Sequence, residues 1–188
     1  MERVLKEMDT DRFRLYPDPT ADELVGSLAD YYGVGKDQVF VGVGSDDVIS
    51  MCFLTFFNSD LPILFPDITY SFYDVWAELF QIPYERPALD DAFALRLEDY
   101  QCENGGIVIA NPNAPTGIRQ SEEFLRAVIE ANPNVVVIID EAYADFSGYT
   151  ALPLVDEYEN VVVVQTFSKS RSMAGMRIGY AISNPTLI

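Results

Sequence analysis

The sequence predicts an α/β fold, a largely parallel sheet flanked by helices. Three observations carry that prediction. From about residue 20 onward, short apolar runs alternate with stretches of helical character, the pattern of a sheet covered by helices. The runs are apolar throughout instead of alternating with polar residues, which marks strands buried on both faces and so mostly parallel. Nearly half of the 188 residues are apolar and the Gly and Pro are scattered singly, so the chain can build the core of one globular domain.

Taken in order, Thr20-Ala21-Asp22-Glu23 has the form of a capping box, predicting a helix that opens there, runs to about Tyr32 and ends at Gly33. Residues 38–41 follow as a short strand. Residues 46–57 are apolar almost all round after two leading acids, which predicts a helix packed inside the molecule with its acids at the positive N-terminal end. Further strands are predicted at 61–65, 106–110, 135–139, 161–165 and 178–182, with helices near 70–80 and 121–132.

Thirty acidic and twelve basic residues give a formal charge of −18 with no histidine. That balance argues against a nucleic-acid or anionic-membrane surface, both of which need clustered Lys and Arg. Cys52 and Cys102 stand in unrelated settings, so neither a disulfide framework nor a zinc site is expected. The charged start lacks the apolar core of a signal peptide, and no run approaches the roughly 18 apolar residues of a membrane span. A reducing, cytoplasmic location is the expectation.

In a parallel sheet, ligands collect beyond the carboxyl ends of the strands. The segments there are Gly42 to Asp46, Pro66 to Tyr70, Asn111 to Gly117, Asp140 to Tyr143, and Thr166 to Lys169. Asp140 ends a β-branched run, where an unpaired carboxylate is costly. It is either an N-cap or salt-bridge residue, or the partner of a protonated cofactor ring nitrogen. Lys169 is one of only three lysines, and it too follows a β-branched run. It reads as a surface residue or as a Schiff-base amine whose nucleophilicity rises if burial lowers its pKa. Gly44-Ser45-Asp46 opening a helix, and Ser168 with Arg177, have the chemistry of phosphate donors. Alone, each is equally a turn or a surface ion pair.

Four blocks, YPDPTADELVGSLADYYGV, GSDDVI, NPNAPTG with DEAYADF after it, and FSKSRSMAGMRIGY, together resemble the fold-type I pyridoxal-phosphate enzymes, and within them the histidinol-phosphate aminotransferases. The resemblance implies pyridoxal 5'-phosphate as cofactor, held covalently by Lys169, which also shuttles the proton. It implies Asp140 on the pyridine nitrogen, Tyr143 on the ring oxygen, Tyr70 stacked on the ring, and Ser45, Asp46, Ser168 and Arg177 around the phosphate. Tyr16 would reach the phosphate in a neighbouring subunit, making residues 1–19 a dimer-contact segment of a homodimer.

Three departures stand out. Ala114 replaces the usual amide partner of the ring oxygen, leaving Asn113 or Asn111 to substitute. Gly42-Val43-Gly44 and Asp46-Asp47 depart from the common Gly-Asn-Gly and Asp-Glu. Residues 20–188 match only part of the family's large domain, and the C-terminal small domain, which supplies the arginine for the substrate carboxylate, is missing. The chain is thus expected to be a fragment, inactive alone, of an enzyme moving an amino group between L-histidinol phosphate and 2-oxoglutarate in histidine biosynthesis. The alternatives are an aromatic-amino-acid aminotransferase, a threonine-phosphate decarboxylase, or a cofactor-binding fragment without activity.

Overall fold

The computed structural model describes residues 2–188. Its centre is a seven-stranded sheet of β1 (Val39–Gly42), β2 (Ile63–Leu64), β3 (Tyr84–Glu85), β4 (Gly106–Ala110), β5 (Val137–Asp140), β6 (Val161–Thr166) and β7 (Gly179–Ile182), in the order β1-β7-β6-β5-β4-β2-β3. The helices are α1 (Glu2–Glu7), α2 (Asp22–Tyr32), α3 (Ser45–Phe56), α4 (Phe72–Phe80), α5 (Glu122–Ala131) and the single turns α6 (Ala144–Ser147) and α7 (Leu154–Glu157).

Strands β3, β2, β4, β5 and β6 run parallel, whereas β7 is antiparallel to both β6 and β1. Six strands therefore share one direction and β7 alone opposes them. The reversal matters for the site: the N-terminal start of β7 lies at the same edge as the carboxyl ends of the others. The segment before β7, which carries Arg177, is delivered to the rim where ligands collect.

Both faces of the sheet are buried. Odd-numbered residues Ile107, Ile109, Val137, Ile139, Val161 and Val163 pack with α2, α5 and α7, while Val108, Ile138, Val162 and Val164 pack with α3 and α4. A period of two thus has apolar partners on each side, which is why the runs read as continuous.

Several local expectations need correction. The helix at Asp22 has no Thr20 capping box. Ala21 stands before it in the left-handed region (φ 49°), and Asp18 instead accepts from the Thr20 and Asp22 N–H groups at 3.0 and 2.7 Å. Asp18 is two residues upstream of the expected cap and does the same job, taking an orphan donor of the first turn. Strand β3, at the sheet edge, was not anticipated, and neither was α1. The strand expected at 61–65 pairs only over Ile63–Leu64.

Candidate active site

Asp140 and Glu141 diverge because successive side chains of a strand point to opposite faces. Asp140, at the end of β5, turns to the α3–α4 side. Its Oδ2 accepts from the Tyr73 hydroxyl at 2.7 Å and its Oδ1 from the Ala142 N–H at 3.0 Å. Burial pushes its carboxyl above the usual carboxylate range, while the bonds from Tyr73 and Ala142 and the charge of Lys169 pull it back. Tyr73 is itself fully buried, and burial followed by the Asp140 charge keeps its hydroxyl protonated, a fixed donor. An acid so placed is stabilised further by any cation brought to the pocket it lines.

Lys169 lies three residues past β6, with its ammonium 5.3 Å from the centre of the Tyr143 ring. It is exposed, on the open rim of the pocket. The turn after β6 leads outward, and most of residues 169–177 face solvent.

The anion-binding corner is built by close approach. Gly44 (φ 91°) precedes α3, and a Cβ there would stand 2.3 Å from the Arg177 Nη2. A Cβ on Gly179 would stand 2.2 Å from the Ser45 backbone nitrogen. Absence of side chains at these two positions lets β7 and the Arg177 guanidinium close on the start of α3, whose first N–H groups have no intrahelical acceptor. Asp47 folds back to accept from the Val43 N–H at 2.9 Å. The Asp46 carboxylate accepts from the Tyr70 hydroxyl at 2.6 Å and lies 3.5 Å from Arg177, so its contribution to an anion is its backbone N–H, not its side chain. Ser168 accepts at 3.0 Å from Thr166, which leaves the Ser168 hydroxyl proton to donate.

One pocket is lined by Ser45, Asp46, Tyr70, Asp140, Tyr143, Ser168, Lys169 and Arg177, together with Ala114 and Ala142. These segments lie as much as 132 residues apart in sequence (177 − 45), and six strand or helix ends bring them together. The Tyr70 ring stacks on Phe72 and meets Tyr73 edge-on. Burial and the neighbouring Asp46 push the Tyr70 hydroxyl up, so it too stays protonated.

The two asparagines expected as substitutes for the amide are not among the residues lining this pocket. The Asn113 amide is fully engaged: it accepts from Thr69 at 2.7 Å and donates to Ile68 O and Thr116 Oγ1 at 2.9 and 3.0 Å. It holds the loop in shape and lines the adjacent groove. Asn111, buried, accepts from the Gln120 N–H at 2.7 Å and also ties the loop. Neither asparagine lines the pocket, and the Asn111 Nδ2 is buried without a hydrogen-bond partner among the described residues. Tyr16 is fully exposed and is not among the pocket-lining residues. Conversely, Tyr73 was missed from sequence; its one signal is its place three residues after Tyr70, just inside a helix.

The donor set suits a phosphorylated pyridine aldehyde. It offers an amine for the aldehyde carbon, a buried carboxylate for a protonated ring nitrogen, and an arginine with a helix N-terminus for a phosphate. The glycine-lined approach at Gly44 and Gly179 is what lets the last two meet.

The family model for aminotransferases of class I and II matches residues 1–188. The chain belongs to that family. Among its relatives, the histidinol-phosphate aminotransferase of Pseudomonas putida is 52% identical over 178 residues, covering 95% of this chain and 51% of that one. The Lactococcus lactis subsp. cremoris enzyme of the same name is 49% identical over 188 residues, covering 100% of this chain and 53% of the other. The chain thus spans about half the length of the curated relatives it matches. The fold of this chain is shared with histidinol-phosphate aminotransferase from Sinorhizobium meliloti in complex with pyridoxal-5'-phosphate (TM-score 0.89, 22% identity, 99% of this chain and 53% of that one). It is shared also with L-threonine-O-3-phosphate decarboxylase from Porphyromonas gingivalis (TM-score 0.82, 20% identity, 99% of this chain and 56% of that one).

Proposed function

We propose that this chain is the cofactor-holding part of a pyridoxal-phosphate-dependent histidinol-phosphate aminotransferase, exchanging an amino group between L-histidinol phosphate and 2-oxoglutarate in histidine biosynthesis. The observation that carries the cofactor reading is the convergence of Lys169, Asp140 and Arg177 on one pocket. The substrate reading rests on relatives of that name at 49–52% identity.

Pyridoxal phosphate, when bound, supplies an electron sink that makes the substrate Cα–H acidic. The chain supplies the rest. Lys169 Nζ would hold the aldehyde carbon and is the amine in the pocket that would accept and return the substrate proton. Asp140, with both oxygens already fixed by Tyr73 and Ala142, would keep the ring nitrogen protonated. Arg177, Ser168 and the first N–H groups of α3 would anchor the phosphate. Tyr143, whose ring centre lies 5.3 Å from the Lys169 ammonium, would donate to the ring oxygen, and Tyr70, which lines the same pocket, would cover the ring face.

The homodimer is part of the same reading: Tyr16, exposed on its own chain, is free to reach a partner's phosphate corner. Glutamate formation from 2-oxoglutarate, measured with histidinol phosphate, phosphothreonine and phenylalanine as donors, tests the substrate. A protein extended to the length of its relatives should prefer histidinol phosphate by at least about a hundredfold in kcat/KM, the discrimination a site built for specific polar groups attains. Equal rates with phenylalanine would refute the assignment, and carbon dioxide released from phosphothreonine would replace it.

A further inference from the structure

On the face of the sheet opposite the pocket, beneath the turn that carries Lys169, lies a polar cluster among apolar neighbours. Gln165, one residue before the end of β6, accepts at Oε1 from the hydroxyls of Tyr32 and Tyr180, each at 2.7 Å. Its Nε2 donates at 2.8 Å to Glu141, a buried acid that also accepts from Thr150 Oγ1 at 2.6 Å and the Ala151 N–H at 2.5 Å. Arg171 caps the cluster. It donates to Tyr180 at 2.5 Å, Tyr32 at 3.1 Å and Gln165 at 3.2 Å, and lies over the Phe167 ring at 5.0 Å. Its outer edge pairs with Asp145, Nε to Oδ2 at 3.1 Å and Nη2 to Oδ1 at 3.3 Å, and Ser170 also donates to Asp145.

The spacing gives the cluster a consequence for the site. Asp145 is two residues beyond Tyr143 and Arg171 two beyond Lys169. The Arg171–Asp145 pair therefore joins the two turns whose other members are the Lys169 ammonium and the Tyr143 ring. A planar guanidinium held at both edges fixes orientation as well as distance. The turn needs such an anchor, since Lys169, Ser170, Ser172 and residues 174–177 are all exposed. Hydrogen bonding by Arg171 also holds the Asp145 carboxyl below its usual range, so the pair stays ionised across the neutral range.

We propose that Arg171 is a positioning residue for Lys169: bonded to Asp145 on one edge and to Tyr32, Tyr180 and Gln165 on the other, it sets where the Lys169 amine stands relative to Tyr143 and Asp140. This rests on the reading of Lys169 as the cofactor lysine. The test compares the pyridoxal-phosphate-loaded protein with its Arg171→Gln, Arg171→Lys and Asp145→Asn variants, and with Leu125→Ala as a purely structural control. Leu125 is a buried residue of α5 with an apolar side chain that makes no hydrogen bond to the cluster. The readouts are the pH midpoint of the bound cofactor's visible absorbance, the dissociation constant for pyridoxal phosphate, and thermal melting.

Arg171→Gln should move the midpoint and weaken cofactor binding about tenfold, the scale of about one net hydrogen bond. Arg171→Lys should restore part of both, because it keeps the charge but not the fork. Leu125→Ala should lower the melting temperature and leave the midpoint alone. If Arg171→Gln does not fold, Asp145→Asn carries the same expectation. A midpoint and affinity unchanged in the folded Arg171 and Asp145 variants, or moved equally by Leu125→Ala, would overturn the proposal. Failure of the unaltered protein to bind the cofactor through Lys169 would instead overturn the functional reading on which it rests.

Discussion

Tyr73 and the Ala142 N–H each take one oxygen of Asp140, so the carboxylate is oriented before any cofactor arrives. Replacing Asp140 by Asn keeps the shape but cannot hold a ring nitrogen protonated. Turnover in an active version should fall by about a hundredfold, the scale of losing one preorganised electrostatic contact, and equal kcat values would refute the role. The same substitution has a pH signature in the cofactor-free protein. Asp140's folded pKa is raised above its unfolded value, so its contribution to stability is fully present below the unfolded pKa and is lost as pH rises through the folded one. Asp140→Asn removes that loss. The melting temperature of the variant relative to the parent should therefore increase from about pH 4 towards neutrality, and a constant or falling difference would contradict it.

At the scale of elements, two glycines decide how closely β7 and α3 meet, and they differ in what surrounds them. At Gly179 an added Cβ would meet backbone, the Ser45 nitrogen and the Gly44 carbonyl carbon at 2.2 and 2.3 Å. Gly179→Ala should destabilise the fold by about 1–3 kcal/mol, as overpacking does, measured by denaturant unfolding. At Gly44 the neighbour is the movable end of Arg177, but φ is 91°. Gly44→Ala should displace the guanidinium and weaken pyridoxal-phosphate binding about tenfold or more, the worth of a charge-assisted hydrogen bond, even under conditions where the protein stays folded.

The strands β4 and β6 were legible from sequence because both faces are buried, so Ile107 to Ala110 and Val161 to Val164 are apolar without a break. Strand β3 was not, since two residues at an edge carry no pattern. Asp18's cap was hidden by a nearby Thr20-to-Glu23 motif that mimics one. The Arg171 cluster was invisible because Tyr32 and Gln165 stand 133 residues apart, and nothing local marks Gln165 as buried. By contrast, most of the pocket was legible, because it is made of strand ends whose polar residues follow directly on apolar runs. Asn113 misled because an asparagine in a turn is as suited to holding the turn as to holding a ligand.

At the scale of the whole molecule, the pocket residues sit on one edge of a single sheet, and no described helix is long and apolar enough to cross a membrane. With half the length of its relatives, the chain presents the cofactor corner, while the resemblance places the substrate-carboxylate arginine in the other half. The 188 residues alone should turn over histidinol phosphate at a negligible rate compared with a version of the relatives' length; comparable turnover numbers would refute that division of labour. The central claim is that Lys169 holds pyridoxal phosphate. It is tested most directly by incubating the folded protein with pyridoxal phosphate, reducing with borohydride and mapping the modified peptide by mass spectrometry. The account predicts the pyridoxyl group on Lys169; a group found on Lys6 or Lys36 instead, or none on folded protein, would contradict it.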